Sequence, residues 1–379
     1  MMKLAYKWSL ALLLLIAVSS VVRAGDDEKR EFTKVIKKEF DITKNGTTAL
    51  YNKYGKIDVK TWDKNRVKVD VTILVNASSE SAAQKVFDRI DIKFVNSEGY
   101  VKAETIIETT KSSWWEGWNT GNNRSDYSIN YEVYMPATNN LELGNRYGDT
   151  YVAAIEGVAN IDVKYGNIKM QGVGNNAKLV LAYGNGSLVK ANNVTADLSY
   201  SSMSFGEVRD ADITSKYSPK VKFDKVANIR CNTKYDTYEI VSVRELRNDG
   251  KYDNFRIGSA ENVVAVSKYT QVNVDNLKNQ LDVTMEYGGC SVGLLDKDFT
   301  NVNLIGKYSD FKITVQDGAN FKMDASSNYA GITYPAALNV SHEIEKGTSH
   351  EVKGHVGKQD ARSTIVARVN YGGLKVRQE

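Results

Sequence analysis

The sequence predicts an all-β protein, a single-chain β-solenoid of about 12–13 coils, 17–21 residues each, with a small N-terminal α+β cap. Three observations predict it. Tyrosine recurs at 147, 165, 183, 200, 217, 235, 252, 269, 287, 308 and 329, in steps of 17 or 18 residues widening to 21, and again at Tyr371; the last gap of 42 reads as two steps of 21 with His350 in the empty slot. Apolar residues alternate on either side of each Tyr, at plus three and plus five (Met203 and Phe205, Val272 and Val274) and at four and two before the next Tyr (Leu179 and Leu181, Val283 and Met285). Alternation is the strand signal, so each coil is expected to hold two short strands. Turn-tolerant residues punctuate the repeat, Gly, Ser or Asp directly after Tyr and Asn- and Gly-containing clusters such as 174–176 and 248–250 later in the coil. Parity places the tyrosines inward or in a corner, as stacked core aromatics. A coil of this size has no room for two helices.

The elements follow in order. Residues 1–24 join a lysine-bearing start, an apolar run from Trp8 to Val22 and Val22-Arg23-Ala24, the pattern of a secretory signal peptide cleaved near Ala24. The mature chain is therefore expected outside the cytoplasm, secreted or periplasmic, with no transmembrane segment. Residues 25–140 form the capping region. A charged start leads into a strand through Phe32, Val35, Ile36 and Phe40, and Tyr54-Gly55 with Ile57 and Val59 is an isolated copy of the ladder text. Val67 to Val75 alternate as a strand. Ser78 to Ile90, with Ala82, Ala83, Val86, Phe87 and Ile90, carries helical spacing, giving one helix over about 79–90. Strands resume around Ile92, Val101 to Ile107 and Tyr127 to Val133. Between them a Ser-, Gly- and Asn-rich loop, 112–125, holds Trp114, Trp115 and Trp118, aromatics suited to stacking on sugars or partner surfaces.

Residues 141–379 are the solenoid. The widened steps of its C-terminal part suggest longer loops on one face, and the last coil at Tyr371 is expected to be exposed, offering an edge through which oligomers could form. Cys231 and Cys290 lie three to four coils apart, more than about 14 Å at ~4.8 Å per strand, so both are expected free and inward.

Composition narrows the function. A net charge of +4 gives no field for nucleic acid. The residue before each Tyr has outward parity and is often basic: Arg146, Lys164, Lys216, Lys234, Lys251, Lys268 and Lys307. Like charges in register repel, so this stripe calls for a counter-charge. Asp236 and Asp253, two residues away, could supply part of it, with the rest coming from solvent counter-ions around lysines that keep the rod soluble and its edges unpaired, or from an anionic polysaccharide or envelope polymer. The three histidines, His342, His350 and His355, match no metal-ligand spacing, and no catalytic or cofactor motif is visible, so no metal or cofactor is expected.

Tyr-Gly-Asp/Asn at solenoid spacing, after the segment Asn52-Lys53-Tyr54-Gly55-Lys56-Ile57-Asp58-Val59, resembles Bacteroidetes-type members of the bacterial candidate-adhesin families of unknown function, including the one named for an auto-transporter adhesin head with a GIN motif. The resemblance implies a β-solenoid at the cell envelope and a non-catalytic binding or structural role, an adhesin, with a polymer or partner protein as ligand. The readings beside it are a carbohydrate-active enzyme on a β-helix scaffold and an envelope-stress signalling scaffold.

Overall fold

The computed structural model describes residues 29–108 and 126–379. The β-solenoid is the architecture observed, with one helix and 27 strands among the described residues. Two compact units divide between Met170 and Gln171. Trp114, Trp115 and Trp118 lie outside the described residues.

In the first unit, Arg30–Asp41, Arg66–Ala77 and Tyr127–Pro136 pair antiparallel. The strict alternation of Val67, Val69, Val71, Ile73 and Val75 puts all five at zero exposure. The helix Glu80–Phe87 starts where Ser79 Oγ accepts the Ala82 amide at 3.2 Å, and it buries Ala83 and Phe87. The isolated ladder copy is part of the solenoid: Thr47–Lys53 runs parallel to Tyr100–Ile107 on one side and to Asn140–Arg146 on the other. Tyr54 stacks on Tyr147 at 5.3 Å between centroids, and Tyr147 on Tyr165 at 5.0 Å. Gly148 and Gly166 sit where the corner backbones touch; a Cβ on Gly148 would lie 1.9 Å from Gly55 O, and one on Gly166 2.1 Å from Gly148 O.

In the second unit the coils 185–199, 202–216, 220–234, 237–251 and 254–268 pair parallel and in register. Counting from the ladder tyrosine, inward residues fall not only at the expected positions but also at plus eight (Val208, Val243 and Leu277) or, in the coil after Tyr217, at plus nine (Val226), and all four are buried. Two consecutive outward residues on each side of that position mark bends, so each coil has three sides, one more than the sequence indicated. Cys231 and Cys290 are free and buried, as expected.

Two expectations fail. The tyrosines are not core residues. Each adopts φ between 51° and 63°, the left-handed turn itself, which breaks strand alternation and swings the ring out. From Tyr147 onward they are 41–56% exposed and stack on one another as a surface pile, at 4.6–5.0 Å in the second unit.

Nor does the last coil lie at the end. Ser363–Asn370 inserts between Asn301–Lys307 and Phe321–Asn328, parallel to both, and Gly373–Gln378 between Asp310–Val315 and Gly331–Thr333. The ring order is therefore Tyr287, Tyr308, Tyr371, Tyr329. His350 is not in the ladder. It lies on Ser349–Val356, which pairs antiparallel with Phe321–Asn328 and with Asn339–Lys346, and its Nε2 is 2.9 Å from Glu343 Oε1. The C-terminal coil predicted as an exposed edge is thus interior. Asn339–Lys346 has one described strand partner, and it bears a register shift between Val340 and His342 together with charged Glu343, Glu345 and Lys346, features that discourage strand addition.

Candidate functional site

Lysines gather at the tyrosine corner because the residue before each Tyr ends a strand facing outward, while the Tyr backbone turns the chain. The amides of Tyr217, Tyr235 and Tyr252 donate to the carbonyls of Lys234, Lys251 and Lys268 one coil on, which locks the register. Lys216, Lys234, Lys251 and Lys268 become direct neighbours on four successive strands. At a strand spacing of about 4.8 Å this is a column of like charge beside the pile of rings. Lys234 Nζ stands 5.5 Å from the Tyr235 ring centroid, within cation–π range. The column ends where Lys268 Nζ meets Glu286 Oε2 at 3.0 Å, a pair that raises the lysine pKa.

Of the other lysines singled out from the sequence, Lys307 lies beyond Glu286, over its own tyrosine ring at 5.8 Å. Lys164 belongs to the first unit, opposite Arg146, whose guanidinium donates to Asp162 Oδ2 at 2.7 Å. The corner therefore unites four of the six.

Asp236 and Asp253 do not neutralise the column at the surface. They follow Tyr235 and Tyr252 in the inward corner position, 3% and 5% exposed. There they cap amides that the left-handed turns leave over: the Ser218 amide donates to Asp236 Oδ1 at 2.7 Å and the Asp236 amide to Asp253 Oδ1 at 2.9 Å. Hydroxyls bind their second oxygens, Ser215 Oγ to Asp236 Oδ2 and Thr233 Oγ1 to Asp253 Oδ2, both at 2.7 Å. Burial raises both acids, and Asp253 is pushed up to about 6, with the Asp236 charge adding to the push against the bonds from Thr233 and the Asp236 amide.

Beside Lys251 and Lys268 the surface is recessed by about 370 Å³, between Asn232, Asp249, Val266 and Glu286. Gly250 borders it at a position where neighbouring coils carry Ser215, Thr233 and Ser267; a Cβ there would lie 2.0 Å from Thr233 Oγ1. A side chain at Gly250 would point inward, into the Thr233–Asp253 pair, so the glycine makes room for that buried pair. A larger trench of about 840 Å³ follows the narrow side of the coils, with Val208, Val226 and Val243 along its floor. Its walls carry mixed charge. Glu207 is held by Lys190 at 3.3 Å and Lys225 at 3.5 Å, and Arg244, Glu261 and Lys278 alternate in sign. The lysine column is of one sign. The trench was missed because the two-strand reading of each coil assigned no inward residue between plus five and the second turn.

No protein-family model matches the chain, and no curated protein matches it. Among solved structures, a candidate cell adhesion protein from Clostridium sporogenes is 9% identical, over 93% of this chain and 100% of its own, with a TM-score of 0.18. A candidate adhesin from Bacteroides fragilis is 9% identical, over 90% of this chain and 97% of its own, with a TM-score of 0.21. Likeness at this level leaves function to the chain's own residues. No helix among the described residues is long and apolar enough to cross a membrane.

Proposed function

We propose that this protein is a non-catalytic binding or structural protein of the bacterial cell envelope, an adhesin acting outside the cytoplasm, that holds an anionic polysaccharide or envelope polymer along its lysine column. One observation carries the reading: Lys216, Lys234, Lys251 and Lys268 stand in register while Asp236 and Asp253, two residues after Lys234 and Lys251, are turned into the core. A repeating polyanion would relieve their mutual repulsion at several points at once.

The test is an array of glycans and polyanions probed with the protein from Gly25, at low and at physiological salt. Binding to sulfated or uronic polymers that weakens with salt is expected, with a log–log salt slope near about three to four, one for each lysine neutralised. Reversing the four lysines to Glu should abolish it, and unchanged binding by that variant would sink the reading. Breakdown of the bound polymer would point instead to a carbohydrate-active enzyme, with Glu207 and Glu261 in the trench as the acids to neutralise first.

A further inference from the structure

We propose that Asp236 and Asp253 are a buried, proton-switched counter-charge for the lysine column, so that the corner grips anionic polymers more strongly in mild acid than at neutral pH. The inference rests on the polymer-binding reading above and adds its regulation.

The geometry places the two carboxylates on successive coils of one corner. The Asp236 amide donates to Asp253 Oδ1 at 2.9 Å, and the Lys234 amide donates to Asp236 Oδ2 at 2.9 Å. The acids are thus joined to the backbone of the column itself. Ionised, they set two negative charges behind Lys216, Lys234, Lys251 and Lys268, where low dielectric carries their field outward with little screening. Protonated, they withdraw that field without moving a lysine.

Their partners can accommodate the proton. Ser215 Oγ donates to Asp236 Oδ2 and exchanges a second bond with the Tyr238 hydroxyl at 2.7 Å, in which either atom can be the donor. Thr233 Oγ1 donates to Asp253 Oδ2 and accepts from Asn248 Nδ2 at 2.8 Å. A hydroxyl can reverse its proton and turn from donor to acceptor, so each carboxyl can become O–H without breaking the chain of bonds. A corner built only of backbone amides could not do this.

The other groups facing the pair stay out of the titration. Cys231 is pushed up to about 12 by burial and the Tyr238 phenol lies well above its ordinary range, so both are neutral throughout. Asp253, at about 6, changes charge within the interval tested. The outward acids Asp249 and Glu286 border the recess and are the comparison to make.

The experiment measures dextran sulfate affinity at pH 7.5 and 5.5 at fixed ionic strength, since sulfate esters keep their charge across that range. Wild-type affinity is expected to rise about fivefold on acidification, the size of one or two unit charges withdrawn at roughly 10 Å in a partly screened setting. D236N/D253N should bind at pH 7.5 at least as tightly as wild type does at pH 5.5, with no response to pH, and D249N/E286Q should keep the response. Binding that ignores pH in wild type, or a response that survives in D236N/D253N, overturns the inference alone. No binding at either pH overturns the polymer reading and the inference with it. Should the double Asn variant fold poorly, the wild-type infrared difference between the two pH values decides: a buried carboxylic-acid C=O band gained at pH 5.5 is expected, and its absence overturns the switch.

Discussion

At the residue scale, the repeat is built on a conformation that L-residues avoid. A non-glycine residue in the left-handed region costs about 1–2 kcal/mol, and this chain accepts that at thirteen tyrosines. Stacking offsets it, at about 0.5–1.5 kcal/mol per ring pair. Tyr252, with a ring on each face, should lose about 1–3 kcal/mol as Tyr252→Ala, whereas Tyr252→Gly should recover roughly 1 kcal/mol of that by relieving the backbone; denaturant titration separates them, and equal losses would mean the turn carries no strain. Asp253 gives the pH prediction. Its folded pKa, about 6, lies above the unfolded carboxylate value, so the native state binds the extra proton between about pH 4 and pH 6. Stability should therefore fall as pH rises through that window, by on the order of 2–3 kcal/mol, and stay flat above it. Thermal melts should lose this slope in Asp253→Asn. Residue types were legible here and orientations were not: Ser218, Asp236 and Asp253 read correctly as corner residues, yet period-two parity cannot follow the chain through a left-handed residue, so it placed the tyrosines inside and left the aspartates near the surface lysines.

At the scale of elements, strand identity was easier to read than strand neighbourhood. The helix at Glu80–Phe87 and the alternating strands before it follow from spacing alone. The gap of 42 residues before Tyr371 did not, because a linear period counts steps along the chain, while the ring of Tyr371 sits between those of Tyr308 and Tyr329. Divisibility by 21 was coincidence, and it drew His350 into a slot it does not occupy. Ile365, at zero exposure, lies in register with Val302 on one side and Met323 on the other. Ile365→Ala should cost about 2–4 kcal/mol, and hydrogen exchange should show Asn301–Lys307 and Phe321–Asn328 losing protection together. Loss on one side only would contradict the insertion. Val340, 41% exposed on the outermost hairpin, is the control and should cost under about 0.5 kcal/mol as Ala.

At the scale of the whole molecule, a net charge of +4 across 379 residues supplies no global field, so the polyanion affinity proposed above would belong to one corner. Regularity, too, is local. Between Tyr183 and Tyr287 stacking order follows chain order; in the second unit, from Asn301 onward, and in the first, around Thr47–Lys53, a coil is held between segments remote in sequence. Such clasps determine where the array can change length. Gene duplication or protein engineering could lengthen the second unit only ahead of Asn301, where an added coil meets neighbours of the same repeat in register, whereas the space around Ser363–Asn370 admits one coil and no more. A variant carrying a second copy of residues 236–252 after Tyr252 should fold and melt at least as high as the parent, and one carrying a second copy of residues 309–329 should not. The clasp around Ser363–Asn370 would then act as the fixed end of a run of coils whose length is free to evolve.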